Sequence, residues 1–247
     1  MKIKTLLPFL VLTASCSIPS GPAVSCLVRP GTALFEPYGF EPSEHLPSPI
    51  FVGELSGCGE LPSGWKTVPR FCRRFGKSVA VLDVGDADLY GGGEVNGDLR
   101  RNGDRQFFWN TDNPTGLLDD GKRMYQSHPW LLGVRKDGSA FGIIADNTWK
   151  SKLVTKGKVR FISDGPAFRV IVIEKESPDL VMRELAELTG KMELPPIWAL
   201  GYQQCRYSYY PQSQVAEIAC KFRERKIPCD VIWMDIHYMD SFKAFTF

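Results

Sequence analysis

The sequence predicts two kinds of fold in succession, an antiparallel β-sandwich and then the opening of a parallel α/β unit. Three observations carry this. Between about Trp65 and Lys175, short apolar runs alternate with turn residues, and no helical spacing intervenes; that is the pattern of a sandwich. From Ser177 to Gly190 the spacing becomes that of a helix. Beyond Pro195, two apolar runs (residues 197–202 and 231–234) flank an amphipathic segment. Nearly continuous apolar strands around a helix are the signature of a βαβ unit in a parallel sheet.

The elements follow in order. Lys2 and Lys4 precede a nine-residue apolar run, residues 6–14, and then Ser15, Cys16 and Ser17. Residues 1–16 therefore read as an export signal. A lipoprotein signal with Cys16 as the lipid-carrying residue is the variant reading, and the only route to a membrane, since about 20 apolar residues are needed to span one. Residues 17–63 are rich in Pro, Gly and Ser and read as an irregular lead-in. The sandwich is placed at residues 64–194, with strand-like runs at 79–84, 106–109, 130–134, 141–145, 159–162 and 168–173. Gly91-Gly92-Gly93, Asn102-Gly103 and Asp164-Gly165-Pro166 separate them as turns, and Lys136-Asp137-Gly138 predicts a hairpin.

Ser177 fits a helix N-cap, with Pro178 at the first position and Gly190 just past the end. Val181, Leu185 and Leu188 supply its apolar stripe. Pro195-Pro196 then opens the α/β unit, residues 195–247. Within it Val215, Ile218, Ala219 and Phe222 fall at i, i+3, i+4 and i+7, one face of a helix.

Composition excludes several classes. A net charge of +2 offers no general attraction for polyanions. The local cluster of Arg70, Arg73, Arg74 and Lys77 lacks any accompanying nucleic-acid motif and reads as a solvated face. No nucleic-acid partner is expected. The seven cysteines show no Cys-x-x-Cys pair and no histidine at ligand spacing, so neither a structural metal nor a cofactor is expected. Cys220 and Cys229 read as buried thiols; Cys58 with Cys72 is the pair to test for a disulfide in an exported protein. Gly76-Lys77-Ser78 ends like a phosphate loop, but Phe71 stands where that loop needs Gly.

Ligands of parallel α/β sheets bind beyond the carboxyl ends of the strands. Those ends carry Arg206, Tyr207, Asp235, His237, Tyr238 and Asp240, a rim suited to a hydroxyl-rich ligand. Asp235 is placed to accept two hydrogen bonds from sugar hydroxyls, or else to cap a helix or close a loop ion pair. Tyr207 fits a stacking role on a sugar ring or a packing role. Arg206 reads as pairing with a structural carboxylate. In the sandwich, Asp112 lies in the turn-rich Trp109-Asn-Thr-Asp-Asn-Pro114, where an Asx turn is the structural alternative. His128 reads as a buried, satisfied histidine. Taken alone, these residues support a polyol ligand and yield no mechanism.

The same stretches resemble glycoside hydrolase family 31, the α-glucosidase and α-xylosidase family. PPIWALGYQQCRYSYY followed by IPCDVIWMDIHYMDSFKAFTF is similar to the start of its catalytic (β/α)8 barrel. YGGGEVNG, FFWNTDNP and MYQSHPWLLGVRKDGSAFGIIADNT are similar to its N-terminal, galactose-mutarotase-like β-sandwich. The resemblance runs from about Ala87 to Phe247, with the motifs in the family's order. It is strongest toward the branch of plant heteroglycan glucosidases and similar bacterial α-glucosidases.

This resemblance implies retaining hydrolysis of a terminal α-linked glucose or related sugar from an oligosaccharide or α-glucan, with two carboxylates about 5–5.5 Å apart. In the family both are aspartates on later barrel strands, so the nucleophile and the acid/base are expected beyond residue 247. The expectation is an N-terminal fragment, inactive on its own, with a non-catalytic carbohydrate-binding fragment or a decayed gene product as the alternative. The resemblance also implies substrate-binding roles for Asp235, Ile236 and Tyr207 in the terminal-sugar pocket. It places Asp112, flanked by Tyr125, toward the reducing-side sugar. Three positions depart from the family pattern: His237 replaces an acid, Ser241 replaces the usual Gly, and Pro114 stands where many relatives have Thr.

Overall fold

The computed structural model describes residues 24–47, 51–53, 55, 57 and 59–247. They divide into two units, one ending at Lys191 and the other beginning at Met192. The expected signal at residues 1–16 lies outside the described residues.

The first unit contains eleven described strands: β1 (Val24–Arg29), β2 (Thr32–Glu36), β3 (Pro69–Arg74), β4 (Lys77–Leu82), β5 (Asp88–Gly93), β6 (Arg105–Phe108), β7 (Ser127–Val134), β8 (Ala140–Asp146), β9 (Ser151–Val154), β10 (Val159–Ser163) and β11 (Arg169–Lys175). One sheet has the order β1-β2-β11-β8-β7-β5 and the other β3-β4-β10-β9-β6, and the pairings are antiparallel. Their facing sides bury Phe35, Leu82, Leu131, Phe141, Leu153 and Phe161 in one core. The opposite side of the larger sheet is covered by α1 (Pro178–Thr189), whose Val181 and Leu188 pack with Ile144, Ile171 and Ile173. Strand β8 is consequently buried along its whole length. Phe141, Ile143 and Ala145 face the sandwich core, and Ala140 and Ile144 face the helix side. A strand covered on both faces shows no alternation, which is why it reads as a solid apolar run.

Every sandwich run expected from the sequence corresponds to a strand, and the Lys136-Asp137-Gly138 hairpin joins β7 to β8. Its turn is closed by the Ser139 amide and hydroxyl donating to Asp137 Oδ1 at 3.0 and 2.6 Å. The lead-in at 17–63 is a correction, because β1 and β2 lie within it. Thr32 to Phe35 are buried between β1 and β11; a five-residue strand between Gly31 and Pro37 is too short to show a period amid turn residues. His45 also ties this segment to the sandwich, through Nε2 to Asp146 Oδ2 at 2.9 Å.

Two further readings differ. Gly91-Gly92-Gly93 is not a turn but the end of β5, where the pairing with β7 shifts register. Gly92 has φ +90°, and a Cβ there would lie 1.4 Å from Oε1 of Gln106; glycine lets the strand lie against that buried side chain. Arg70, Arg73, Arg74 and Lys77 belong to the hairpin of β3 and β4 and are exposed, as a solvated face would be.

Ser177 stands at the N-cap of α1 with Pro178 following, but its hydroxyl donates to Asp179 rather than accepting a helix amide. Cys72 is disulfide-bonded; Cys58, its expected partner, lies outside the described residues.

The second unit holds β12 (Gln203–Cys205), α2 (Gln212–Glu224) and β13 (Val231–Trp233), with β12 and β13 paired in parallel from Gln203 opposite Val231. This is the predicted βαβ, but its first strand starts later than the apolar run suggests. Residues Ile197–Leu200 instead form a 3-10 turn, with Ala199 N donating to Pro196 O at 2.9 Å and Gly201 N to Trp198 O at 3.2 Å. The strand is pinned by side chains of Gln203, which donates to Ala199 O and accepts from Trp233 Nε1 at 2.8 Å. On α2, Val215, Ile218 and Phe222 are half-buried as the spacing requires, while Ala219 is exposed. Cys229 is buried and Cys220 is exposed, so only one of the two expected buried thiols is one.

Candidate sugar-binding site

Two groups of expected site residues occur, one in each unit, and each stands on its own. In the sandwich, the loop after β6 is held by Asn113 rather than by Asp112. Asn113 is buried, and its Nδ2 donates to the carbonyls of Leu118 and Arg123 at 3.2 and 3.0 Å. That anchor leaves Asp112 exposed, where its Oδ1 accepts from Tyr125 Oη at 2.9 Å. The carboxylate beside it, chiefly through this bond, pushes the Tyr125 phenol above its ordinary value, because ionising both would place two negative charges in contact. The pair presents one free carboxylate oxygen and one aromatic ring to solvent. His128, expected to be buried and satisfied, is exposed on β7.

In the second unit, the loops after β12 and β13 meet. Ser208 Oγ donates to Met234 O at 3.2 Å. Tyr207 packs edge-on against His237, ring centroids 5.3 Å apart, and Tyr210 stacks on the same imidazole at 4.4 Å. Phe242 closes a third side at 5.5 Å. The resulting open cleft is lined by Arg206, Tyr207, Ser208, Tyr210, Gln214 and His237, among others. Tyr207 is 74% exposed, so its ring is available to a ligand.

Asp235 follows β13 with φ +63°, in the left-handed region that aspartate tolerates better than most residues. Among the described residues its carboxylate has no hydrogen-bond or ion-pair partner. It therefore fits neither the cap nor the loop ion pair that the sequence leaves open. Ile236 beside it is partly exposed. Arg206 does not pair with a carboxylate among the described residues; its guanidinium lies 5.8 Å from the centroid of the Tyr209 ring. Tyr210 and the central position of His237 were missed from sequence, although the aromatic run Tyr207-Ser-Tyr-Tyr210 was the signal available.

A strand-end carboxylate without a protein partner has the hydrogen-bonding capacity that a hydroxyl-bearing ligand uses. The family models agree with this topology. The glycosyl hydrolases family 31 TIM-barrel domain matches residues 192–247, and the glycosyl hydrolase 31 N-terminal galactose mutarotase-like domain matches residues 76–153. The chain belongs to glycoside hydrolase family 31. It is 43% identical over 170 residues to alpha-glucosidase 2 of Bacillus thermoamyloliquefaciens, covering 68% of this chain and 21% of that protein. Among solved structures, the family 31 alpha-glucosidase from Bacteroides thetaiotaomicron is 55% identical, with a TM-score of 0.64, over 69% of this chain and 29% of that one. The Flavobacterium johnsoniae family 31 dextranase complexed with glucose superposes with a TM-score of 0.70 at 22% identity, over 91% of this chain and 34% of that one. This last likeness shows the fold alone. The chain spans about a fifth of the length of the curated relatives it matches.

Proposed function

We propose that this chain is the N-terminal, substrate-binding part of a retaining family 31 α-glycosidase acting on a terminal α-linked glucose or related sugar. The observation that carries the reading is Asp235, a carboxylate without a protein partner at the end of a parallel strand, with Tyr207 and His237 at the neighbouring loop ends. Asp235 accepts hydrogen bonds from hydroxyls of the terminal sugar, charge-assisted and correspondingly strong. Tyr207 stacks on the ring, and Ile236 contributes apolar wall. In the first unit, and as a site of its own, Asp112 oriented by Tyr125 offers a carboxylate oxygen to a sugar hydroxyl.

The two carboxylates that cleave the bond are assigned, by family pattern, to later barrel strands. Residues 1–247 alone therefore bind without hydrolysing. The protein is assigned to the exported class on its N-terminal segment, and Cys16 is the point of any lipid anchor.

The test is an assay of the 247-residue chain on a chromogenic α-glucoside. The proposal expects no turnover above buffer. Clear turnover that disappears on Asp235→Asn or Asp240→Asn would overturn it, since the reaction would then be run by carboxylates within residues 1–247.

A further inference from the structure

The sandwich carries a second cleft, of about 370 Å³, bordered by the end of β6, the start of β7 and the turn after β8. Phe108, Trp109, Asn110, Ser127, Asn147 and Trp149 are among its lining residues, and no lining side chain carries a charge. Neither Asp112 nor Tyr125 borders it, and none of the residues after β12 and β13 does.

Trp149 is 48% exposed yet firmly placed. A Cβ on Gly165 would lie 2.3 Å from the indole Cγ, so the ring rests on backbone that only glycine leaves bare. Asn147, itself buried, clamps the residue from its own side chain: Nδ2 donates to Trp149 O at 3.2 Å and Oδ1 accepts from Trp149 N at 3.3 Å. Ser163 Oγ donates to the same Oδ1 at 3.1 Å, and Thr148 Oγ1 donates to Leu46 O at 3.2 Å. Trp109, 51% exposed, also lines the cleft, and its carbonyl accepts from Thr111 Oγ1 at 2.8 Å. Among the described residues, neither indole N–H has a hydrogen-bond partner, nor do the side chains of Asn110 and Ser127.

The lining therefore combines one fixed and one exposed aromatic ring with unpartnered donors and acceptors, and no charge. A charged ligand would be desolvated here without a counter-charge. A pyranose offers what this lining lacks: C–H faces to lie on an indole, and hydroxyls to take the indole N–H, the amide and the serine. The volume falls in the range of small-molecule sites, about 300–1,000 Å³. We propose that Trp109 and Trp149 form a second sugar-binding cleft, one that takes a neutral pyranose unit. The choice of α-glucan probes rests on the function proposed above; the cleft itself does not.

The experiment follows the six tryptophan indole N–H resonances of the full chain during titration with isomaltotriose and with maltotriose. Trp109→Phe and Trp149→Phe assign the two signals. The expected result is a saturable shift of both indoles at millimolar sugar or below, with Trp149→Ala weakening the affinity at least tenfold. Asp235→Asn should leave these two shifts as they were. Two stationary indoles at sugar concentrations up to about 20 mM, in a chain whose other signals show it folded, would overturn the proposal. The wild-type titration decides this even if an alanine variant does not fold. Backbone shifts at Tyr207 and Asp235 report separately on the other site.

Discussion

Replacing Asp146 tests whether the segment before β3 is an integral part of the sandwich. Asp146 ends β8 with no solvent exposure. Its Oδ2 receives His45 Nε2 at 2.9 Å and Arg169 Nε at 2.7 Å, joining the lead-in to β8 and β11. Asp146→Ala strands a guanidinium that is 19% exposed and an imidazole that is 8% exposed. Breaking a buried pair by removing one partner costs about 3–5 kcal/mol, and the residual exposure of Arg169 places this case near the lower end. For a unit of this size each kcal/mol moves the midpoint about 2–4 °C, so a fall of roughly 6–12 °C is expected. Thermal unfolding followed by circular dichroism reads it, with Asp83→Asn as a control, since Asp83 pairs with Lys158 on the surface and should leave the midpoint unmoved. A combined His45→Phe, Asp146→Leu, Arg169→Met variant should recover most of the loss, because an apolar triad needs no compensating charge. An Asp146→Ala midpoint within about 2 °C of wild type would refute the reasoning.

Three further outcomes follow from the same structure. Asp112→Asn should lower the Tyr125 titration toward the ordinary phenol value of about 10, seen in the ultraviolet difference spectrum. With the carboxylate present the folded state favours the neutral phenol, so that stabilisation is present below the unfolded-state value and lost as pH rises through the raised one. Gly92→Ala should destabilise the sandwich by on the order of 1–3 kcal/mol from its φ of +90° alone, with displacement of Gln106 adding to it; an unchanged denaturation midpoint would contradict the stated contact. His237→Asp should release the Tyr207 ring and weaken sugar binding about tenfold, since aromatic pairs contribute about 0.5–1.5 kcal/mol each, whereas His237→Phe should preserve both. Equal binding by the two variants would show that the rings around His237 do not position Tyr207.

Sandwich and βαβ were legible in the sequence because each expresses its burial as a pattern: period 2 or solid apolar runs for the strands, i, i+3, i+4 and i+7 for α2. What stayed hidden has physical causes. β2 is buried but only five residues long, and β5 ends in three glycines that mimic a turn while serving close approach to Gln106. The apolar residues of Ile197–Leu200 looked like a strand, but the backbone turns there and pairing passes to the polar Gln203–Cys205. For the site, Asp235 and Tyr207 could be placed at strand ends from spacing alone. That His237 stands among Tyr207, Tyr210 and Phe242 depends on two loops meeting, which no local pattern encodes.

The central claim is that Asp235, Ile236 and Tyr207 hold a terminal sugar. Its most direct test is an assigned amide spectrum of the chain titrated with maltose and with isomaltose. The account predicts saturable shifts at Tyr207, Asp235 and Ile236 that are abolished by Asp235→Asn, whatever happens at the two tryptophans of the sandwich. Unmoved signals at all three positions with both sugars, in a folded chain, would contradict it.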